Sequence, residues 1–310
     1  MTPTYRDMTE DDPPLAYLDG IALDDGGAVI IAAIWGFEDS IDRPTRLLHI
    51  SADGKVRCLD VEHNIISLAS PMAPATAQVY GLTKTNQILK VFPEQGEPVP
   101  IGRDRGGRFS RLRGVDNGLV VVGLNGQVSR IKASSAAPFD EGAFASTRQL
   151  FFRHLRDVGG HPASRMIAVG LAGCILQRRR DRWEEVDAGT NADLEQIVHG
   201  QEADSFWIAG NGGTLIHVVR DEWRFVDAGT EVNFWGMTWL GGKIILSAME
   251  GLFCLDPETE EVTPQDVKTD RPVSFYRVDA NSGRLWSIGP QDIVLFDGES
   301  WQRIHVPGTA

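Results

Sequence analysis

Apolar residues in this chain come in short runs of Val, Ile, Leu, Phe and Trp, bounded by Gly, Asn or Asp, and no stretch keeps a helical period. Runs such as MIAVG, FWIAG and LWSIG have the length and composition of strands, because β-branched and aromatic side chains suit a pleated, half-buried surface. The 33 glycines supply the tight turns that many short strands need. The pattern predicts an all-β chain.

The runs recur. LAGCILQRRRDRWEEVDAGT (residues 171–190) aligns without gaps to NGGTLIHVVRDEWRFVDAGT (residues 211–230), 40 positions later, and DIVLFDGESWQRIHVPGT (residues 292–309) is a third copy. Following the small residue that ends the preceding strand gives Gly36, Gly81, Gly123, Gly170, Gly210, Ala248 and Gly289, at intervals of 45, 42, 47, 40, 38 and 41. A period near 40 residues with four strand-like runs per period predicts radial repetition of four-stranded antiparallel sheets, a seven-bladed β-propeller. One domain over residues 1–310 is expected, with blades near 14–62, 63–102, 103–147, 148–189, 190–229, 230–269 and 270–309. Trp183, Trp223 and Trp301 recur in the outer strand and are expected to pack between blades. Trp235 and Trp239 fall in an expected innermost strand, where packing is also expected.

The GLAG and GNGG motifs (residues 170–173 and 210–213), followed by W-x-x-V and G-T, resemble the repeat of bacterial YVTN, BNR-like and photosystem-assembly-factor propellers, which are similar to WD-repeat proteins. The resemblance is good over residues 165–310 and weaker over 1–160, where the tryptophan is lost. It implies that the loops between strands two and three, and those between blades, share one face around the channel mouth.

Catalytic patterns are absent from the sequence. The seven histidines show no HxH, HxxxH or HExxH spacing, and there is no GxSxG elbow, Walker A loop or EF-hand loop. The nearest approach to a sialidase-type box is SADG (residues 51–54), which lacks the spacing and the tryptophan. No catalytic residue, metal or cofactor is expected. Cys58, Cys174 and Cys254 form no CxxC pair, and the acidic start MTPTYRDMTEDDPP is unlike a signal peptide. The longest apolar run, residues 28–35, is too short to span a bilayer. A cytoplasmic chain without a membrane partner, monomeric when unbound, is expected.

Net charge of −13 argues against a nucleic-acid partner, since phosphate attraction needs a basic face. Its distribution says more. Residues 1–62 sum to −8, residues 63–189 to +6 and residues 190–310 to −11. Ring closure would join the two acidic stretches into one sector, a steering surface for a basic partner. The candidate contacts are Glu38, Asp39 and Asp42 in the long loop of blade one, with Asp187, Asp193, Asp227 and Glu231 in the inter-blade loops. Asp187 and Asp227 precede Gly-Thr, where aspartate also serves simply to hold a turn. The expected function is non-catalytic protein binding, most concretely by an immunity protein that occludes a basic bacterial toxin. A scaffold or assembly factor is the alternative, and a carbohydrate-active propeller is disfavoured by candidate loops that are acidic and mostly lack tryptophan.

Overall fold

A computed structural model describes residues 4–35, 43–72, 78–101, 107–115, 118–132, 135–143, 153–161, 165–202 and 204–308. Seven separate sheets account for the strands, and each has four strands running from innermost to outermost in chain order, with the N-terminal strand added outside the first sheet. The innermost strands are Leu15–Ala22, Ile65–Ala69, Phe109–Val115, Leu155–Gly160, Leu194–His199, Gly236–Leu240 and Arg277–Asn281. All pairings are antiparallel, as in Ala168↔Leu176 of blade four and Ile208↔Ile216 of blade five. The protein is a seven-bladed β-propeller.

Its core is a ring of seven apolar clusters, each lying between neighbouring blades. Such a ring follows from the sequence: second strands such as Ala28–Ile34, Gly118–Gly123 and Met166–Gly170 are apolar on both faces because both faces are covered. Trp183 is buried between blades three and four, and its Nε1 donates to the Phe139 carbonyl at 2.7 Å. Trp223 and Trp301 are half-buried against the next clusters, where they join blades four to five and six to seven. Trp239 donates its Nε1 to the His199 carbonyl at 2.6 Å. The inner strand of blade six starts at Gly236, so Trp235 precedes it, with its ring 5.7 Å from that of Tyr276.

The glycine pair of the repeat has a direct cause. Gly173 and Gly213 adopt φ of +70° and +67°, and a Cβ on either would sit 1.9 Å from the carbonyl oxygen of Thr190 or Thr230. The two halves of the motif, G-x-x-G and G-T, therefore touch, and only glycine fits between them. The periodic glycine itself is less regular than the spacing predicts. Gly123, Gly170 and Gly210 each pair with the first residue of an inner strand, but in blade two Thr83 holds that place opposite Ile65. Gly81 lies two residues earlier, and Gly36 is outside the described residues.

Closure uses no shared blade. The N-terminal strand Arg6–Asp7 pairs with Val56–Val61 and adds a fifth strand to the outside of blade one. Blade seven is complete without it and packs on blade one through Trp286, Ile288, Leu15, Tyr17 and Met8. Glu10 then clasps the C-terminal segment, accepting from the Gly308 N–H at 3.1 Å and lying 3.1 Å from His305 Nε2.

Candidate partner-binding face

Because strands one and three run opposite to strands two and four, the strand two-to-three loops and the inter-blade loops emerge on one face. Hydrogen bonds stitch them together there: the Gly173 N–H donates to the Ala192 carbonyl at 2.8 Å, and that of Gly213 to Val232 at 2.7 Å. The acidic candidates of two neighbouring inter-blade loops lie on this face, and most already have a structural task. Asp187 Oδ1 accepts the Gly189 N–H at 2.8 Å, and Asp227 Oδ1 accepts that of Gly229 at 2.9 Å. Asp193 Oδ1 accepts the Ala172 N–H at 2.8 Å, tying the inter-blade loop to the turn of blade four. Asn233 does the same for Gly212 in blade five, an equivalence visible in the sequence as Asx residues 40 positions apart. Glu231 is exposed and has no such bond among the described residues. Glu38, Asp39 and Asp42 lie outside the described residues. A carboxylate used in a turn still carries its charge and spare lone pairs, so these loops remain an acidic surface.

The same face carries exposed apolar side chains that charge patterning does not reveal. Trp35, at the end of the second strand of blade one, is 48% exposed, and Met249 is exposed in the corresponding turn of blade six. An exposed tryptophan on this face is the kind of side chain that anchors protein interfaces.

The channel holds a second polar site, opening on the opposite face. A cavity of about 650 Å³ is lined by Asp19, Arg111, Arg113, Gln196, Arg277 and Asp279 of the inner strands, with Met72 at its mouth. Arg113 Nε donates to Asp157 at 2.6 Å, and Arg111 lies 3.1 Å from Asp19. Arg277 donates to the Trp235 carbonyl. Burial lowers the pKa of Arg111 and raises that of Asp279. Three inner-strand aspartates also bind a neighbouring blade's backbone: Asp19 accepts from Leu68, Asp157 from Ile197 and Asp279 from Ala22. Ser67 and Gln196 do likewise with Leu112 and Met237. The channel groups thus form a belt joining successive blades.

One arrangement has the distances of a charge relay. Ser205 Oγ lies 3.1 Å from His217 Nε2, and His217 Nδ1 lies 3.3 Å from Glu260 Oε1. The imidazole stacks on Trp207 at 3.9 Å. Ser205 is only 2% exposed, however. A Cβ on Gly200 would come within 2.1 Å of its hydroxyl. A nucleophile needs room for a carbonyl beside it and donors for an oxyanion. Gly200 fills that room, so the trio clamps blade five to blade six. Among the described residues no group of three or more His, Cys, Asp or Glu is placed to hold a metal ion.

Comparison with known proteins fits this geometry. No protein-family profile matches the chain. In sequence it is similar to Immune protein Tsi7 of Pseudomonas aeruginosa, at 28% identity over 213 residues, covering 67% of this chain and 69% of that protein. In structure it is similar to YCF48 bound to D1 peptide, with a TM-score of 0.67 and 12% identity over 95% and 96% of the two chains. The WD40 propeller domain of Doa1 gives 0.69 and 15% over 95% and 98%. Virginiamycin B lyase from Staphylococcus aureus gives 0.72 and 9% over 93% and 96%. At these identities the structural likenesses show the propeller fold and nothing finer, since propellers host both binding proteins and enzymes.

Proposed function

We propose that this protein is an immunity protein that neutralises a bacterial toxin by binding and occluding it. The similarity to Immune protein Tsi7 across two thirds of the chain carries this reading. The rigid ring supports it physically: loops anchored on a stiff scaffold present a fixed surface at small entropic cost. The face bearing Asp187, Asp193, Asp227, Glu231 and Trp35 is the proposed contact, and its charge suits a basic toxin. A positive surface on the toxin would be the target. Neutralisation is stoichiometric and needs no chemistry from this chain.

The test is co-expression in bacteria with candidate toxins from the protein's source organism. Rescue of growth, together with a one-to-one complex on gel filtration, is the expected result. Failure of both would overturn the proposal.

A further inference from the structure

Far from the acidic loops, the outer hairpins of blades four and five enclose a groove of about 720 Å³. Five guanidinium groups line it, those of Arg165, Arg178, Arg179, Arg180 and Arg220, against the carboxylates of Glu184, Asp204 and Asp221. On a chain of net charge −13, this is a locally positive site. The repeat produces it: Arg180 and Arg220 hold equivalent turn positions 40 residues apart, so neighbouring blades present them to the same groove.

Arg165 forms its floor and is 8% exposed. Among the described residues its terminal nitrogens donate to the Asp204 backbone carbonyl at 3.4 Å and to Gln177 Oε1 at 3.3 Å, and the guanidinium lies 5.7 Å from the centre of the Phe206 ring. Its Nε is buried with no hydrogen-bond partner among the described residues. The nearest carboxylate oxygen, Asp221 Oδ1, is 3.9 Å away and is already held by Arg179 at 2.6 Å. A buried guanidinium is ordinarily paired, because taking its charge out of water without a counter-charge is strongly unfavourable. Arg180 and Arg220 at the rim are exposed and make no ion pair among the described residues. Three arginines thus converge on one space, and among the described residues none of them is hydrogen-bonded to a carboxylate. Two of the five positive charges exceed what the lining carboxylates balance.

We propose that this groove binds a phosphate group, with Arg165 as the buried anchor and Arg180 and Arg220 closing over it. A phosphate dianion matches the surplus charge, and its tetrahedral oxygens accept from several guanidinium forks at once. The site lies apart from the proposed toxin-binding face and does not depend on that reading. Inorganic phosphate, a small phosphate ester and a phosphorylated side chain of another protein share this chemistry.

The experiment is calorimetric titration of the whole protein with inorganic phosphate at low ionic strength. Binding in the millimolar range or tighter is expected, and it should weaken about tenfold or more in an Arg180→Asn/Arg220→Asn double variant, which removes two charge-assisted contacts. Asparagine tolerates the left-handed backbone of these two turns, at φ of +55° and +53°, so the double variant should melt with the native protein. Arg165→Gln should abolish binding, and the double variant keeps the proposal testable if that buried change unfolds the chain. No heat up to about 20 mM phosphate, more than ten times the expected dissociation constant, would overturn it. So would binding that both variants leave untouched, or glutarate binding as well as phosphate. A phosphoserine peptide that outcompetes phenyl phosphate assigns the phosphate to a protein partner. The reverse order assigns it to a small ester, and both orders support the site.

Discussion

Asp157 of blade four receives Arg113 of blade three at 2.6 Å and, through its other oxygen, the Ile197 N–H of blade five at 3.0 Å. One fully buried carboxylate therefore joins three consecutive blades at the channel wall. Removing it leaves a half-buried guanidinium and a buried backbone N–H unpaired. Asp157→Ala should cost about 3–5 kcal/mol, the range for breaking a buried pair. Urea denaturation would measure it. The Arg113→Met/Asp157→Leu double variant, which removes both charges, should recover part of the loss.

The contact between Gly173 and Thr190 makes a second prediction. Alanine at Gly173 must displace a backbone carbonyl and hold φ at +70°, so Gly173→Ala should lower the melting temperature by several degrees, as expected for a cost of about 1–3 kcal/mol. Gly189 also has positive φ, at +77°, but no atom lies within 4 Å of the place its Cβ would take. Gly189→Ala isolates the backbone term and should cost less. Equal losses would mean that close approach is not what fixes the motif.

These two sites mark what the sequence makes legible. The G-x-x-G and G-T motif recurs because the same backbone contact forces the same residue in successive blades, and the outer tryptophans recur because each fills a similar gap. The propeller and its seven sheets can be read from such repetition. The channel belt cannot, because Asp19, Ser67, Asp157, Gln196 and Asp279 perform one task with three residue types. Their partners lie in the next blade, 40 or more positions away. Gly81 misleads for a related reason: Thr83 fills its expected ladder place, so no glycine is demanded there. The structural use of Asp187 and Asp227 was legible from the Gly-Thr that follows, whereas the tie from Asp193 to blade four was not. Arg165 stands outside the repeat and gave no signal.

Closure should weaken in acid. The Arg6 hydrogen bond is the main cause holding Asp12 below the usual carboxylate pKa, and the His305 contact does so for Glu10. A depressed folded pKa means stability that is present above the unfolded value, near 4, and lost as pH falls through the folded value. Hydrogen-exchange protection, each rate taken relative to the intrinsic rate at the same pH, should therefore fall in the N-terminal strand and the last blade below about pH 4 before the other blades respond. An Asp12→Asn/Glu10→Gln variant should show that lower protection already at neutral pH and lose the pH dependence. Protection at these segments that stays constant from pH 6 to roughly pH 2 would rule out a carboxylate-held closure.

The thiols should be inert in the native state. Burial pushes the Cys174 thiol up to about 11 and raises Cys58 and Cys254 as well. At pH 8 the thiolate fraction of Cys174 is then about a hundredfold below that of an ordinary thiol, and the thiolate is the reactive form. Iodoacetamide followed by mass spectrometry should find no modified cysteine in the native protein within minutes and all three in urea. Rapid native labelling at Cys174 would show that blade four opens readily at its rim.

The acidic face can be tested without disturbing its loops, because asparagine keeps the accepting oxygen that each turn uses. Asn233 already plays in blade five the part that Asp193 plays in blade four. An Asp187→Asn/Asp193→Asn/Asp227→Asn variant should fold and melt like the native protein while three charges are gone. Glu231→Lys, at an exposed position, adds a reversal at no structural cost. If the toxin is basic and docks here, native affinity should fall steeply between about 50 and 300 mM salt, as the screening length shortens. The variant should bind about tenfold or more weakly at low salt, with most of the change in association rate, and its salt dependence should be shallower. Trp35→Ala should act oppositely, speeding dissociation with the salt slope unchanged. Affinity indifferent to both salt and these substitutions would place the toxin contact elsewhere on the ring.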